Sequence, residues 1–135
     1  MSRTLILIKP DAFERALTGE VLARFERKGL RLVALKLVQA DEAIANVHYA
    51  EHAEKPFFVE LVEFITGGAL VAAVMEGHEA VAAARQVIGA TNPLESNTGS
   101  IRGDFGLEVT FNMVHGSDSD ASAEREIGIW FPELA

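Results

Sequence analysis

Near the end of the chain, the segment NMVHGSD sets His115 where an apolar run gives way to glycine, serine and aspartate. A neutral imidazole keeps a lone pair near pH 7 and can act as nucleophile or base. Gly116 permits a tight turn and a close backbone approach. Ser117 and Asp118 suit the start of a helix, whose free N–H groups they can satisfy. The same pattern also describes an ordinary strand end before an Asx turn. A nucleophilic histidine needs a second group to fix its tautomer. Glu126, on the helix after the turn, can fold back toward the strand end, or else lie solvated beside Arg125.

Other polar residues stand at the ends of predicted elements. Lys9 closes the first apolar run, Arg85 lies on an alanine-rich helix, Thr91 follows that helix, and Arg102 sits in a long polar stretch. Three cations and a hydroxyl can bind a polyphosphate, whose charge is best met by arginine forks and a lysine point charge. Singly, each also suits an exposed surface. Neither the G-x-x-x-x-G-K-[ST] loop nor G-x-G-x-x-G occurs, so a nucleotide here would not rely on those devices. Tyr49, Phe57 and Phe58 gather beside Pro56. One such ring can stack on a base, since every base offers a π-face. Phe58 shares a helical face with Val62 and Ile65 and suits the core. A competing constellation is HYAEH, which matches H-x-x-E-H. His48 and His52 at i, i+4 could hold zinc with Glu51 as base, but no third ligand is evident and an exposed helix face explains the pair equally.

These residues need elements to position them. Thr4 to Ile8 is a short apolar run suited to a buried strand. Val21, Leu22 and Phe25 fall at helical spacing, with Thr18 able to cap and Gly29 to stop that helix. The run LRLVALKLVQ reads as a second strand. Two helical stretches follow Asp41, the second starting near Pro56 and ending at Gly67 and Gly68. ALVAAVME reads as a third strand, and HEAVAAARQVIG as a helix ending at Gly89. The polar stretch ATNPLESNTGSIRGDFG has no helical period, and loops of that length are usually functional or disordered. LEVTFNMV alternates and reads as a fourth strand. ASAEREIGIWF reads as a last helix with Ala123, Ile127 and Trp130 inward. This alternation fits a parallel α/β sheet, and equally a βαββαβ arrangement.

Composition narrows the function. The 135 residues suit one domain with its own core. There is no cysteine, hence no disulfide, thiolate nucleophile or Cys-ligated zinc, as in a reducing compartment. The N-terminal apolar run meets Lys9, Pro10 and Asp11 too soon for a signal peptide, and no stretch approaches the roughly 20 apolar residues of a membrane span. A cytoplasmic protein without membrane contact is expected. Net charge is -8, with 20 acids against 12 bases, so the basic footprint of a nucleic-acid binder is missing. An anionic ligand would need the few cations gathered locally against that field.

Taken together, LILIKPDAF, HYAEHAEKPFF, GATNP, SIRGDF, NMVHGSD and SAEREIGIWF resemble the nucleoside diphosphate kinase family from about Arg3 to Pro132. N-x-x-H-G-S-D is the most specific of these motifs. The resemblance implies one domain over residues 1–135 with an α+β sandwich fold: ferredoxin-like βαββαβ, a four-stranded antiparallel sheet covered by helices. It implies ping-pong transfer of the γ-phosphoryl of a nucleoside triphosphate to a nucleoside diphosphate, with Mg²⁺, through a phosphohistidine. His115 matches the nucleophile, attacking through Nδ1, and Glu126 matches the residue that orients its ring. Lys9, Arg85, Thr91 and Arg102 match phosphate contacts, and Asn112 with Lys9 the sugar-hydroxyl contacts. Tyr49 matches a tyrosine beside the phosphoryl group, and Phe57 and Val109 the pair around the base. No metal is expected on protein ligands, since the phosphates hold Mg²⁺. The partners implied are nucleotides and further copies of the chain, as a hexamer or tetramer. The chain departs from the family pattern in the long loop, where Thr98 and Ser100 replace the usual proline and threonine. A non-catalytic nucleotide binder and a zinc hydrolase are the competing functions. The intact His115, Glu126 and Lys9 set speaks against the first.

Overall fold

The computed structural model describes residues 1–134. Four strands, β1 (Ser2–Ile8), β2 (Arg31–Val38), β3 (Leu70–Gly77) and β4 (Val114–Gly116), form one sheet in the order β2-β3-β1-β4. Each pairing is antiparallel. The parallel sheet that alternation allowed is therefore excluded, and the βαββαβ order holds. The helices are α1 (Pro10–Glu14), α2 (Thr18–Lys28), α3 (Glu42–His48), α4 (Phe58–Thr66), α5 (Ala80–Ile88), α6 (Ile101–Phe105) and α7 (Asp120–Trp130).

The central strand explains its own composition. Leu5, Ile6, Leu7 and Ile8 are all fully buried because both faces of β1 are covered, and a strand covered on both faces reads as a continuous apolar run. Ile6 and Ile8 join Val21 and Phe25 of α2 and Ala84 and Ile88 of α5 on one face. Leu5 and Leu7 join Ala45 of α3, Val62 and Ile65 of α4, and Trp130 of α7 on the other. Paired residues share a face. His115, opposite Leu7, therefore faces the α3–α4–α7 layer, while Gly116, opposite Ile6, faces α5.

Several local expectations are corrected. The fourth strand does not span LEVTFNMV: only Val114–Gly116 pairs, and Leu107 to Met113 is irregular. Alternation alone did not reveal that Leu107, Val109 and Phe111 are exposed. Thr18 does not cap α2; Leu17 occupies that position, and the Thr18 hydroxyl is buried without a partner. Gly29 does end α2, in the left-handed region at φ 111°. The long polar stretch is ordered by a 3₁₀ turn (Pro93–Glu95) and by α6. Ser100 caps α6, its hydroxyl accepting from Gly103 N–H at 3.0 Å, so the serine found in place of threonine retains a capping oxygen.

Candidate active site

The chain bends sharply before His115, but not where glycine was expected to allow it. The positive φ belongs to Met113, at 78°, a conformation that costs a non-glycine residue about 1–2 kcal/mol. The surroundings clamp it. Met113 N–H donates to Asp11 Oδ2 at 3.2 Å, and Met113 C=O accepts from Lys9 N–H at 2.9 Å. Gly116 has another role. A Cβ there would meet Ile88 Cδ1 at 2.6 Å, so glycine is required by close packing of β4 on α5. Gly116→Ala is expected to lower stability by about 1–3 kcal/mol through overpacking. Ile88→Val should recover part of that loss, because it removes the atom in the way. Thermal melts of the two single variants and the double variant check this.

His115 projects into a cleft of about 500 Å³. Its Nε2 lies 2.8 Å from Glu126 Oε1, which also accepts from the Ser117 hydroxyl at 2.8 Å. That hydroxyl in turn accepts from Leu5 N–H at 3.1 Å. Burial acts to raise the Glu126 carboxyl, but the hydrogen bonds with His115 and Ser117 act against it, and the group is held below its ordinary value. Glu126 is thus a carboxylate at neutral pH. A carboxylate only accepts, so His115 carries its proton on Nε2 and keeps the Nδ1 lone pair free. Replacing Glu126 by glutamine keeps the shape but leaves the tautomer unfixed. Histidine-dependent activity is expected to fall about 10²-fold, measurable in steady-state assays at neutral pH. Its stability contribution is present above the ordinary glutamate range and is lost as pH falls through the lower folded value.

Cations gather around this centre despite the net charge of -8. Lys9 Nζ donates to Asn112 Oδ1 at 2.9 Å, and Asn112 Nδ2 donates to Thr91 C=O at 3.1 Å. Arg102 is buried and donates to the carbonyls of Asn112 and Val114 at 3.1 and 2.7 Å. Arg85 donates to Gly116 C=O at 3.1 Å. Burial, and then Arg102, push the Lys9 ammonium down to about 8, against the pull of Asp11. Burial, and then Arg85, lower Arg102 to about 10. Both remain cationic at pH 7, and two like charges held close without a buried carboxylate partner invite an anion.

The structure brings together all ten residues picked out from the sequence: Lys9, Tyr49, Phe57, Arg85, Thr91, Arg102, Val109, Asn112, His115 and Glu126 line this one cleft. Phe57 and Val109 stand at 42% and 52% exposure, apolar groups presented to solvent rather than to the core. The Tyr49 hydroxyl is buried without a partner, and burial, with Glu126, pushes it well above the usual phenol range.

The sequence offered His48 and His52 only as zinc ligands, and it gave no sign of the Ser117–Glu126 bond. His52 lines the cleft with a buried, unpartnered Nδ1, its ring 5.6 Å from that of Phe57. His48 is 4% exposed, so its helix face is not the exposed one considered for zinc. The signal was the helical spacing: Ala45, His48 and Tyr49 are buried together, while Val47 is exposed. Among the described residues, the group of His, Asp or Glu side chains close enough for a metal is His48, His115 and Glu126, and it does not include His52.

A family model described as "Nucleoside diphosphate kinase" matches residues 2–135. A nucleoside diphosphate kinase from Nocardia farcinica is 63% identical over 133 residues, 98% of this chain and 96% of that protein. One from Mycobacteroides abscessus is 65% identical over 133 residues, 98% of each chain. Among solved structures, a halophilic nucleoside diphosphate kinase from Halobacterium salinarum in complex with CDP superposes with a TM-score of 0.94 at 45% identity, covering 96% of this chain and 87% of that one. The apo enzyme from Encephalitozoon cuniculi superposes with a TM-score of 0.95 at 44% identity, over 97% and 89%.

Proposed function

The chain belongs to the nucleoside diphosphate kinase family, and on that premise we propose that its cleft takes nucleoside tri- and diphosphates in turn, with His115 carrying the phosphoryl group between them. The enzyme is a phosphotransferase that works by ping-pong through a phosphohistidine. The Nε2–Glu126 bond is the observation that carries the assignment of His115, because it leaves Nδ1 as the free lone pair at the cleft. Nδ1 attacks the γ-phosphorus, the P–N bond forms, and the bond from γ-phosphorus to the bridging oxygen breaks as the diphosphate leaves. The second diphosphate attacks with a terminal β-phosphate oxygen, breaks the P–N bond and restores the lone pair. No proton leaves Nε2. The Glu126 carboxylate stabilises the positive charge that develops on the ring.

Lys9, Arg85 and Arg102 meet the phosphates, and Thr91 adds a hydroxyl contact. The transfer needs little covalent help beyond such positioning and charge. The buried Tyr49 hydroxyl is a donor for the phosphoryl oxygens. Lys9 and Asn112, already joined by a hydrogen bond, meet the sugar hydroxyls. Phe57 and Val109 hold the base by its faces, which every base shares. His52, between the Tyr49 and Phe57 rings, offers a further contact to the phosphate chain.

The divalent cation proposed is Mg²⁺. Hard cations of this size keep waters and favour phosphate oxygens over an all-protein cage. The cleft suits that: Asp118 lines it and is held below the usual carboxylate range, chiefly by a Ser122 hydrogen bond. Asp118 is therefore available to the ion's water ligands. When bound, Mg²⁺ neutralises charge on the β- and γ-phosphates.

Residues 1–135 are proposed to act as one cytoplasmic kinase domain that assembles with copies of itself, as a hexamer or tetramer. No helix of the described residues is long and apolar enough to cross a membrane. On the edge strand β2, Leu35 and Leu37 are 49% and 68% exposed, and an apolar edge of that kind favours pairing with another chain. The loop bearing Thr98 is proposed to bear on assembly as well. Thr98→Pro is expected to raise the melting point of the assembly, by up to about 1 kcal/mol of stability where the native φ suits proline. A melt unchanged from wild type would remove the loop from that role.

The deciding experiment is incubation with γ-labelled ATP and Mg²⁺ without acceptor, quenched in base because phosphohistidine is acid-labile. Label on His115 that leaves on adding GDP is the expected result. ATP binding without label would make the protein a nucleotide-binding module.

A further inference from the structure

His48 takes no part in the chemistry just described, yet it touches the reacting group. It is the last residue of α3, and its ring lies 4.7 Å from that of His115 at 79°, an edge-on contact. On its other side, the Trp130 indole Nε1–H donates to His48 Nδ1 at 3.1 Å. Both residues are nearly fully buried.

An indole N–H donates and never accepts. His48 Nδ1 must therefore hold a lone pair, and the proton of the neutral ring sits on Nε2. The ring remains neutral. Burial, and then His115, lower it to about 3, with Lys9 and Arg125 acting in the same direction and Glu126 against them. A nitrogen of His48, a nitrogen of His115 and an oxygen of Glu126 lie within 4.8 Å of one another, which resembles a three-ligand metal site. The proton assignments argue against that role. His48 Nδ1 is held by Trp130, its Nε2 is protonated, and His115 Nε2 is held by Glu126, so the cluster as folded offers no pair of free lone pairs converging on one ion.

We propose that His48 is a positioning residue for His115: Trp130 fixes its tautomer and orientation, and its ring forms the wall that keeps His115 Nε2 on Glu126 and Nδ1 toward the cleft. Glu126 anchors one ring nitrogen, but a single hydrogen bond leaves the imidazole free to swing about it. An edge-on ring at 4.7 Å removes that freedom. A misplacement of about 1 Å in such a nucleophile can cost about 10²-fold in rate.

This inference rests on the reading of His115 as nucleophile, and the test separates the two. Full-length protein labelled with ¹⁵N-histidine gives the tautomers directly from long-range ¹H–¹⁵N spectra, between about pH 5 and 9. His48 is expected to be neutral, with its proton on Nε2, throughout. Single-turnover phosphorylation by γ-labelled ATP is then compared in wild type, His48→Asn, and the double variant His48→Phe with Trp130→Phe. Asparagine keeps an acceptor for Trp130 but removes the wall. The rate at saturating ATP is expected to fall roughly 10–100-fold, with ATP affinity within about twofold and with mixed His115 tautomers. The double variant restores a ring and leaves no orphaned indole N–H, and should recover most of the rate. A His48 proton on Nδ1, or a His48→Asn variant with wild-type rate and His115 tautomer, would overturn the proposal. A wild-type protein that forms no phosphohistidine would instead overturn the reading of His115, whatever the His48 tautomer.

Discussion

Replacing His115 by alanine is expected to remove phosphoryl transfer almost completely, with turnover falling by at least about 10⁴-fold. The lone pair on Nδ1 is the one covalent acceptor the mechanism uses. Glu126 is already engaged by His115 Nε2 and by the Ser117 hydroxyl, and the Tyr49 hydroxyl is held protonated by burial. Neither can substitute at neutral pH. Nucleotide binding should survive, because the phosphate cations are anchored independently of the imidazole. Arg85 is held by Gly116 C=O, Arg102 by Asn112 and Val114 C=O, and Lys9 by Asn112 Oδ1. Stability should change little, since His115 is partly exposed and stands at the rim of the core. The check is paired: steady-state transfer from ATP to GDP, and nucleotide affinity by calorimetry. Transfer within tenfold of wild type would mean that the phosphoryl group passes directly between nucleotides and that His115 is not its carrier.

How much of this was visible in the sequence depends on the range of the interaction involved. The continuous apolar run of β1 and the face of α2 are short-range patterns, and they marked elements correctly. His115, Glu126, Lys9, Arg85, Thr91 and Arg102 stood out as chemically distinct types around the predicted elements, and the resemblance to the kinase family added Asn112, Val109 and the roles of Tyr49 and Phe57. What stayed hidden depended on contacts far apart in the chain. The bend at Met113 is stabilised by Lys9 and Asp11, about a hundred residues away. Gly116 is required by the Ile88 side chain on α5, a contact that local turn statistics do not contain. β4 is short because the residues before it do not pair, and three of them, Val109, Thr110 and Asn112, line the cleft instead. His48 illustrates the same limit. The sequence left it on an exposed helix face or a zinc site, and only the fold shows that it is buried against Trp130 and His115.

Lys9 should show the reverse separation of stability and activity. Lys9→Met is expected to lower catalytic efficiency about 10²–10³-fold while raising the melting temperature by roughly 3–6 °C at pH 7. The lysine is 7% exposed, has Arg102 as a cationic neighbour, and finds its hydrogen bond in a neutral amide rather than a carboxylate. Its charge is therefore held at a cost that a phosphate oxygen would relieve. In the folded protein the ammonium releases its proton near pH 8, whereas in the unfolded chain it holds the proton to its ordinary 10.5. Between those values the unfolded state binds more protons, so wild-type stability gains as pH rises through that window. Lys9→Met removes the gain because nothing is left to titrate. The advantage of the variant at pH 7 is a few kcal/mol at most, reduced by the Asn112 acceptor it leaves unpaired. The opposite sign applies to function. A phosphate beside Lys9 raises its pKa again, so nucleotide binding above pH 8 should take up a proton. Titration calorimetry in buffers of different ionisation enthalpy measures that uptake, which should disappear in Lys9→Met. Melts at pH 7 and pH 10 complete the comparison: a variant less stable than wild type at both would show that the Asn112 bond outweighs the buried charge.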